Sequence, residues 1–254
     1  MNLTGLVMRE GVVARASGRV LVIDGIVWFE RPGPVALPWT SRPRPPRPGR
    51  YAVRAHGIDL DRLDRVQRHD DGTLEGWTTV TGTWRHRELH VSAQTSTPQR
   101  GAWTNRWTTP PCPPPAGGWP TADLPARSPQ PDEQTRLTIT QVTVFRPHET
   151  QQVLVVAAED VERVERALRP TFGAALCVVP SRYRRHEVDE TLRRLRDEMS
   201  SHHWPMTSNG RSAGDDGQPT VIATFAWIEP EVARWAATVP GGLLDLDVWL
   251  TPVG

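Results

Sequence analysis

The segment Ser41-Arg42-Pro43-Arg44-Pro45-Pro46-Arg47-Pro48-Gly49-Arg50 sets four arginines on a proline-stiffened backbone. A stretch this rich in proline runs extended in the polyproline form. Its guanidinium forks are held apart and can meet successive phosphates or carboxylates at little added ordering cost. Trp28, Phe29 and Trp39 precede it and offer flat surfaces on which single-stranded bases can stack. Alternation along a strand sends either Trp28 or Phe29 into the core, so only one of that pair can serve. The candidate ligand-binding set is therefore Trp28, Phe29, Trp39, Arg42, Arg44, Arg47 and Arg50. The plainer reading leaves the Pro-Arg segment solvated.

Other chemistry has less to stand on. Metal binding asks for Cys, His or carboxylate ligands close together, and the chain has neither Cys-x-x-Cys nor His-Glu-x-x-His. His202-His203 is the nearest approach, but adjacent side chains at a helix end point apart. Asp215-Asp216-Gly217 lacks the spaced oxygen ligands of a calcium loop and reads as a turn. No metal ligand and no cofactor is expected. Nucleophilic catalysis lacks a Gly-x-Ser-x-Gly elbow, and Ser181 beside Arg182, Arg184, Arg185 and His186 reads as a helix cap next to a solvated face. No phosphate-cradling glycine loop occurs. No catalytic residue is assigned, and an enzyme with dispersed groups is the third reading.

The bulk properties narrow the partners. Thirty basic against 29 acidic residues leave a formal charge of +1, so any polyanion site must be local. All the basic residues are arginine. A GC-rich genome accounts for that most simply, and selection against lysine-directed tagging is the sharper alternative. Met1 to Glu10 does not resemble a secretory leader, and no run is long enough to span a membrane. Cys112 in a proline-rich loop and Cys177 in an apolar strand suit a reducing cytoplasm, as a loop thiol and a core thiol, better than a disulfide framework.

An α+β chain of two blocks is expected to position these residues. Residues 1–98 read as strands over Leu6–Ala14 and Arg19–Phe29 turning at Ser17-Gly18, then Tyr51–Ile58, a short helix over 59–66, and a hairpin of Trp77–Trp84 and Glu88–Thr95 around Arg85-His86-Arg87. That order is the order of an OB-like β-barrel. Residues 99–135 form a Pro/Gly-rich linker whose Trp103, Trp107 and Trp119 are costly to leave in water. They either pack in cis or bind a partner. Residues 136–254 read as two strands, a helix capped by Asp160, and then strand, helix, strand, strand, helix, strand, the ferredoxin-like α+β order. Within that unit Trp204–Ser208 is a short strand, Asn209–Gly217 a turn and Thr220–Ile228 its partner strand.

Three resemblances follow from the chain's phrases and element order. Thr79-Val80-Thr81-Gly82-Thr83-Trp84 with Leu89-His90-Val91 resembles the closing hairpin of many OB domains. Leu176-Cys177-Val178-Val179-Pro180-Ser181-Arg182 and Gly241-Gly242-Leu243-Leu244-Asp245-Leu246 resemble small α+β modules of GC-rich actinobacteria, and the element order is similar to pro-regions of some secreted bacterial proteases. The latter resemblances imply an interaction module and transfer no catalytic residue. The function expected is non-catalytic binding in the cytoplasm, as an adaptor or assembly component that acts through contacts with an unidentified protein partner, with no membrane and an open oligomeric state. Single-stranded nucleic acid is the alternative partner.

Overall fold

The computed structural model describes residues 3–31, 46–96, 109–121, 124 and 131–253, and these form an α+β protein. The first strand, β1 (Val13–Ile23), runs straight through Ser17-Gly18, where a turn was expected. Gly18 serves close approach instead. A Cβ there would lie 2.5 Å from the Glu30 carbonyl oxygen and 2.8 Å from the Phe29 ring, so a side chain would push β2 (Ile26–Glu30) away. The true turn is Asp24-Gly25, whose φ values of 51° and 76° both lie in the left-handed region that a two-residue hairpin demands. After β3 (Val53–His56) the expected helix shrinks to a 3-10 turn at Leu60–Arg62, with the Asp59 carboxylate accepting from Asp61 N. Leu63 then buries, and the chain enters β4 (Asp64–Arg68) against β5 (Leu74–Arg85). The hairpin from β5 to β6 (Glu88–Thr95) turns at His86-Arg87, as expected.

The pairings of these strands form a cycle. Leu21 of β1 faces Trp28 of β2, Trp28 faces Arg54 of β3, Arg54 faces Glu88 of β6, and Glu88 faces Arg85 of β5. Leu21 also faces β5 directly, but at Glu75, ten residues short of Arg85. The β3–β6 junction is parallel and the other four junctions are antiparallel. Ala14, Ala16, Val20, Phe29, Val53, Ala55, Val80, Trp84 and Leu89 fill the inside of the cycle.

The second half repeats one unit. After α1 (Glu133–Thr138), β7 (Ile139–His148), β8 (Gln151–Ala158), α2 (Val161–Phe172) and β9 (Leu176–Pro180) form a hairpin, a helix and a parallel third strand. Following α3 (Arg185–His202), β10 (Met206–Ala213), β11 (Pro219–Phe225), α4 (Pro230–Ala236) and β12 (Leu244–Val248) do the same. The ferredoxin-like expectation is corrected here, because its four strands do not share one sheet: β9 lies beside β8, while β12 is the parallel neighbour of β11. The cause is β8, buried without a break from Val153 to Ala158, as a strand covered on both faces must be. Such a strand is central and takes β9 as its second neighbour. The turn expected over 209–217 is strand as far as Ala213, and only Gly214–Gly217 turns.

One face of the β7–β9 sheet packs on α2 through Val164, Leu168 and Phe172. The other, carrying Phe145, Val153, Val155 and Cys177, is covered by the linker, where Cys112 and Trp119 pack against it. The reading of two free thiols is therefore corrected: Cys112 and Cys177 are joined in a disulfide across 65 residues, with Cα atoms 5.8 Å apart. The linker's return across the sheet brings them together. Trp119 packs in cis, and its carbonyl accepts from Gln151 Nε2 at 3.0 Å.

The halves also exchange chain ends. Val7 joins the core beneath α3 and α4, with Met8 N donating to Ile228 O at 2.8 Å. In return Ala226, Trp227, Trp249 and Leu250 enter the core of the strand cycle. The Trp249 indole N–H donates to Ser17 O at 2.8 Å, its ring lies 5.1 Å from that of Phe29, and the following β13 (Thr251–Pro252) pairs with Ala14 and Arg15. Tyr51 Oη donates to Trp204 O at 3.0 Å across the same seam.

Two outcomes follow. Trp249→Ala is expected to lose about 3–5 kcal/mol in urea denaturation, and both halves should unfold earlier in one transition. Cys112→Ser/Cys177→Ser should lose about 4 kcal/mol, the chain-entropy value for a loop of 65 residues, and non-reducing peptide mapping should recover the linked pair from the native protein.

Candidate functional site

Alternation in β2, β3 and β6 sends Phe29, Val53, Ala55 and Leu89 inward and leaves Trp28, Arg54, His56, Glu88 and His90 on the outer face. Register then sets them side by side. One row runs Trp28, Arg54, Glu88, Arg85 and the next runs His56, His90, Thr83. The Arg54 guanidinium carbon stands 5.6 Å from the centroid of the Trp28 ring, and Arg54 Nη1 lies 3.8 Å from Glu88 Oε1. The second oxygen, Glu88 Oε2, is 2.7 Å from His56 Nε2. The His56 and His90 rings are stacked at 4.8 Å with 19° between planes. The bond from His56 holds the Glu88 carboxyl below the ordinary glutamate range. Slight burial opposes this, and the charges of His56, Arg54 and His90 reinforce it.

This face takes up part of the expected ligand set. Trp28 lies on it, half-buried. Phe29 does not: it is fully buried against Trp249, so its assignment as a ligand residue is corrected. Arg47 and Arg50 are exposed, and Arg50 lies over the Tyr51 ring at 5.3 Å. The root of the Pro-Arg segment is fixed by Gly49 N, which donates to Glu30 Oε2 at 2.6 Å. Glu30 is two residues from Trp28 and on the same side of β2, and it is itself paired with Arg19. Trp39, Arg42, Arg44, Trp103 and Trp107 lie outside the described residues, while Trp119, assigned to partner binding, is half-buried on its own sheet.

The remaining candidates have local duties. Ser181 Oγ donates to Tyr183 O at 2.6 Å, and α3 is instead closed by Glu187 accepting from Arg184 N at 2.6 Å. Asp216 closes its turn by accepting from Gln218 N and also pairs with Arg182. On α3, Arg193 is paired with Glu190 and Asp197. His202 pairs with Glu198. His56, Glu88 and His90 form no contiguous ligand motif in the sequence, yet their potential ligand atoms all lie within 4.8 Å of one another. Glu88-x-His90 carries a legible half of that signal, since positions two apart share a strand face. His56 arrives only through the parallel pairing of β3 with β6.

A hollow lined by Leu3, Ala236, Val239, Pro240 and Leu244 holds about 20 Å³, the room of a single water, and gives a substrate no enclosure. Among the described residues no helix is long and apolar enough to cross a membrane. No family model matches the chain, and no curated protein or solved structure is significantly similar to it.

In a carbon-detected NMR titration, the Glu88 carboxyl should titrate below an ordinary glutamate in the native protein. His56→Ala should move it upward by removing the dominant hydrogen bond.

Proposed function

We propose that the protein is a non-catalytic binding protein that holds single-stranded nucleic acid on the outer face of β2, β3 and β6. The observation that carries this reading is the set of flat side chains gathered on one outer face: the half-buried Trp28 with Arg54 over its ring, beside the exposed, stacked His56 and His90. Base stacking on such groups contributes about 1–3 kcal/mol per base and tolerates any sequence. The anchoring of Gly49 on Glu30 brings the end of the Pro-Arg segment to the same side of β2, so its arginines can follow a phosphate backbone.

An OB-like barrel is part of the proposal. It is supported by the five-strand pairing cycle, by its ten-residue stagger and by a parallel junction between the third and last strands of the cycle. OB-folds bind oligonucleotides on the face of their second and third strands, which here are β2 and β3. Fold analogy alone is the weaker support, and the residues on the face matter more.

A protein adaptor is the second reading, and one observation favours it. Val142 and Val144 are 47% and 44% exposed on β7, an apolar pair that contact with another chain would cover. The linker tryptophans support it less, because Trp119 is already packed.

Fluorescence anisotropy with labelled mixed-sequence single-stranded DNA and RNA across a salt series tests the proposal. Trp28→Ala is expected to weaken binding about tenfold. Neutralising Arg42, Arg44, Arg47 and Arg50 together should reduce the slope of log K against log salt by roughly 3. Absence of binding at low salt, or affinity unchanged by Trp28→Ala, overturns it.

A further inference from the structure

We propose that His56, Glu88 and His90 bind one zinc ion on the outer face of the strand cycle. Two imidazoles and a carboxylate are a known ligand set for zinc, with a fourth position left to water or to an incoming group. Zinc imposes no geometric preference from its d electrons and so suits a site built from exposed side chains on a sheet.

The geometry is close to what the ion requires. His56 and His90 are directly opposed in the parallel register, Glu88 stands two residues before His90, and the three side chains share one face. Bonds of about 2.0–2.2 Å to a tetrahedral ion place ligand atoms roughly 3.3 Å apart. The His56 Nε2 to Glu88 Oε2 distance of 2.7 Å has to open slightly, and the outermost separation of 4.8 Å has to close. Side-chain rotation can supply both changes, because both histidines are exposed. The hydrogen now shared between His56 and Glu88 occupies the direction the ion would take.

Arg54 supplies the outer layer. It faces Glu88 in the register and lies near Oε1, so Oε2 stays turned toward the histidines while its own guanidinium rests on Trp28. Arg54 is a positioning residue in this scheme. The ion would also strengthen a narrow seam of the cycle. β3 and β6 pair over three residues, Arg54 to His56 against Glu88 to His90, and a metal bridging His56 and His90 would tie those strands together.

The test uses the full chain without a histidine tag, stripped with chelator, and zinc chloride as the probe. Calorimetry should give one zinc per chain. Since loss of an outer-layer partner alone costs about 10–100-fold in affinity, His56→Ala and His90→Ala should each weaken binding by at least about tenfold, and Glu88→Gln should weaken it too. His186→Ala, an exposed histidine on α3, should bind as the native protein does. Saturating zinc should raise the melting temperature by roughly 5 °C at a hundredfold excess over Kd, and His90→Ala should abolish that rise. Cobalt substitution gives a readout independent of any variant: strong visible bands of a four-coordinate nitrogen and oxygen site are expected. Zinc that fails to bind, or that binds the His56→Ala/His90→Ala protein as tightly as the native one, overturns the proposal. Because no nucleic acid is present, this outcome is separate from that of the nucleic-acid reading.

Discussion

The rest of the structure depends on the exchange of chain ends between the two halves. Trp249 lies in the bend between β12 and β13, yet it completes the core of the first block, where its ring lies on Phe29 and its indole N–H satisfies the Ser17 carbonyl. Trp227 enters the same core, tilted on Trp84 at 5.4 Å and edge-on to Tyr51 at 6.3 Å. Two aromatic side chains of this size supply a large part of a small core's apolar area. Without them the strand cycle would be filled largely by alanine, valine and leucine, with an opening where the second half now sits. The reverse contribution, Val7 under α3 and α4, makes the dependence mutual. The halves are continuous in packing, and boundaries drawn from composition alone miss this seam.

The exchange also decides which surface is left for function. The second half covers the β1 side through β13, and ion pairs Arg31–Asp247 and Arg87–Glu229 fasten its margins. Among the described residues, the face of β2, β3 and β6 is one that stays open. Once Phe29 is drawn inward against Trp249, alternation turns Trp28 outward, and register does the rest by setting Arg54, Glu88, His56 and His90 beside it. A core contact thus fixes the phase of the strand that carries the surface aromatic. A slip of one residue would exchange the roles of Trp28 and Phe29.

Local features and short hairpins were legible in the sequence, and pairings between distant strands were not. Asp160 accepts from Arg163 N as a cap should, Val188, Leu192 and Leu195 face inward from α3 at helical spacing, and Pro230 opens α4. Each depends on residues within a few positions. Ser17-Gly18 misled because glycine serves both turns and close strand approach, and only the position of β2 distinguishes them, whereas Asp24-Gly25 carried the stronger hairpin signal. The element order after residue 175 was readable, but the partner of β9 was set by the doubly buried β8 upstream. The same holds for chemistry. Cys112 and Cys177 are 65 residues apart, and His56 meets Glu88 and His90 only through β-sheet register, so both groupings follow from topology and neither forms a contiguous motif.

The face of β2, β3 and β6 is the working surface proposed for this protein. The most direct measurement is nitrogen–proton NMR of the full chain titrated with a short mixed-sequence single-stranded oligonucleotide at low salt. Shifts are expected to concentrate at the Trp28 indole, the Arg54 side chain and the amides of His56, Glu88 and His90, with little change on β7. Shifts confined to Val142 and Val144, or no shifts at saturating oligonucleotide, would contradict it.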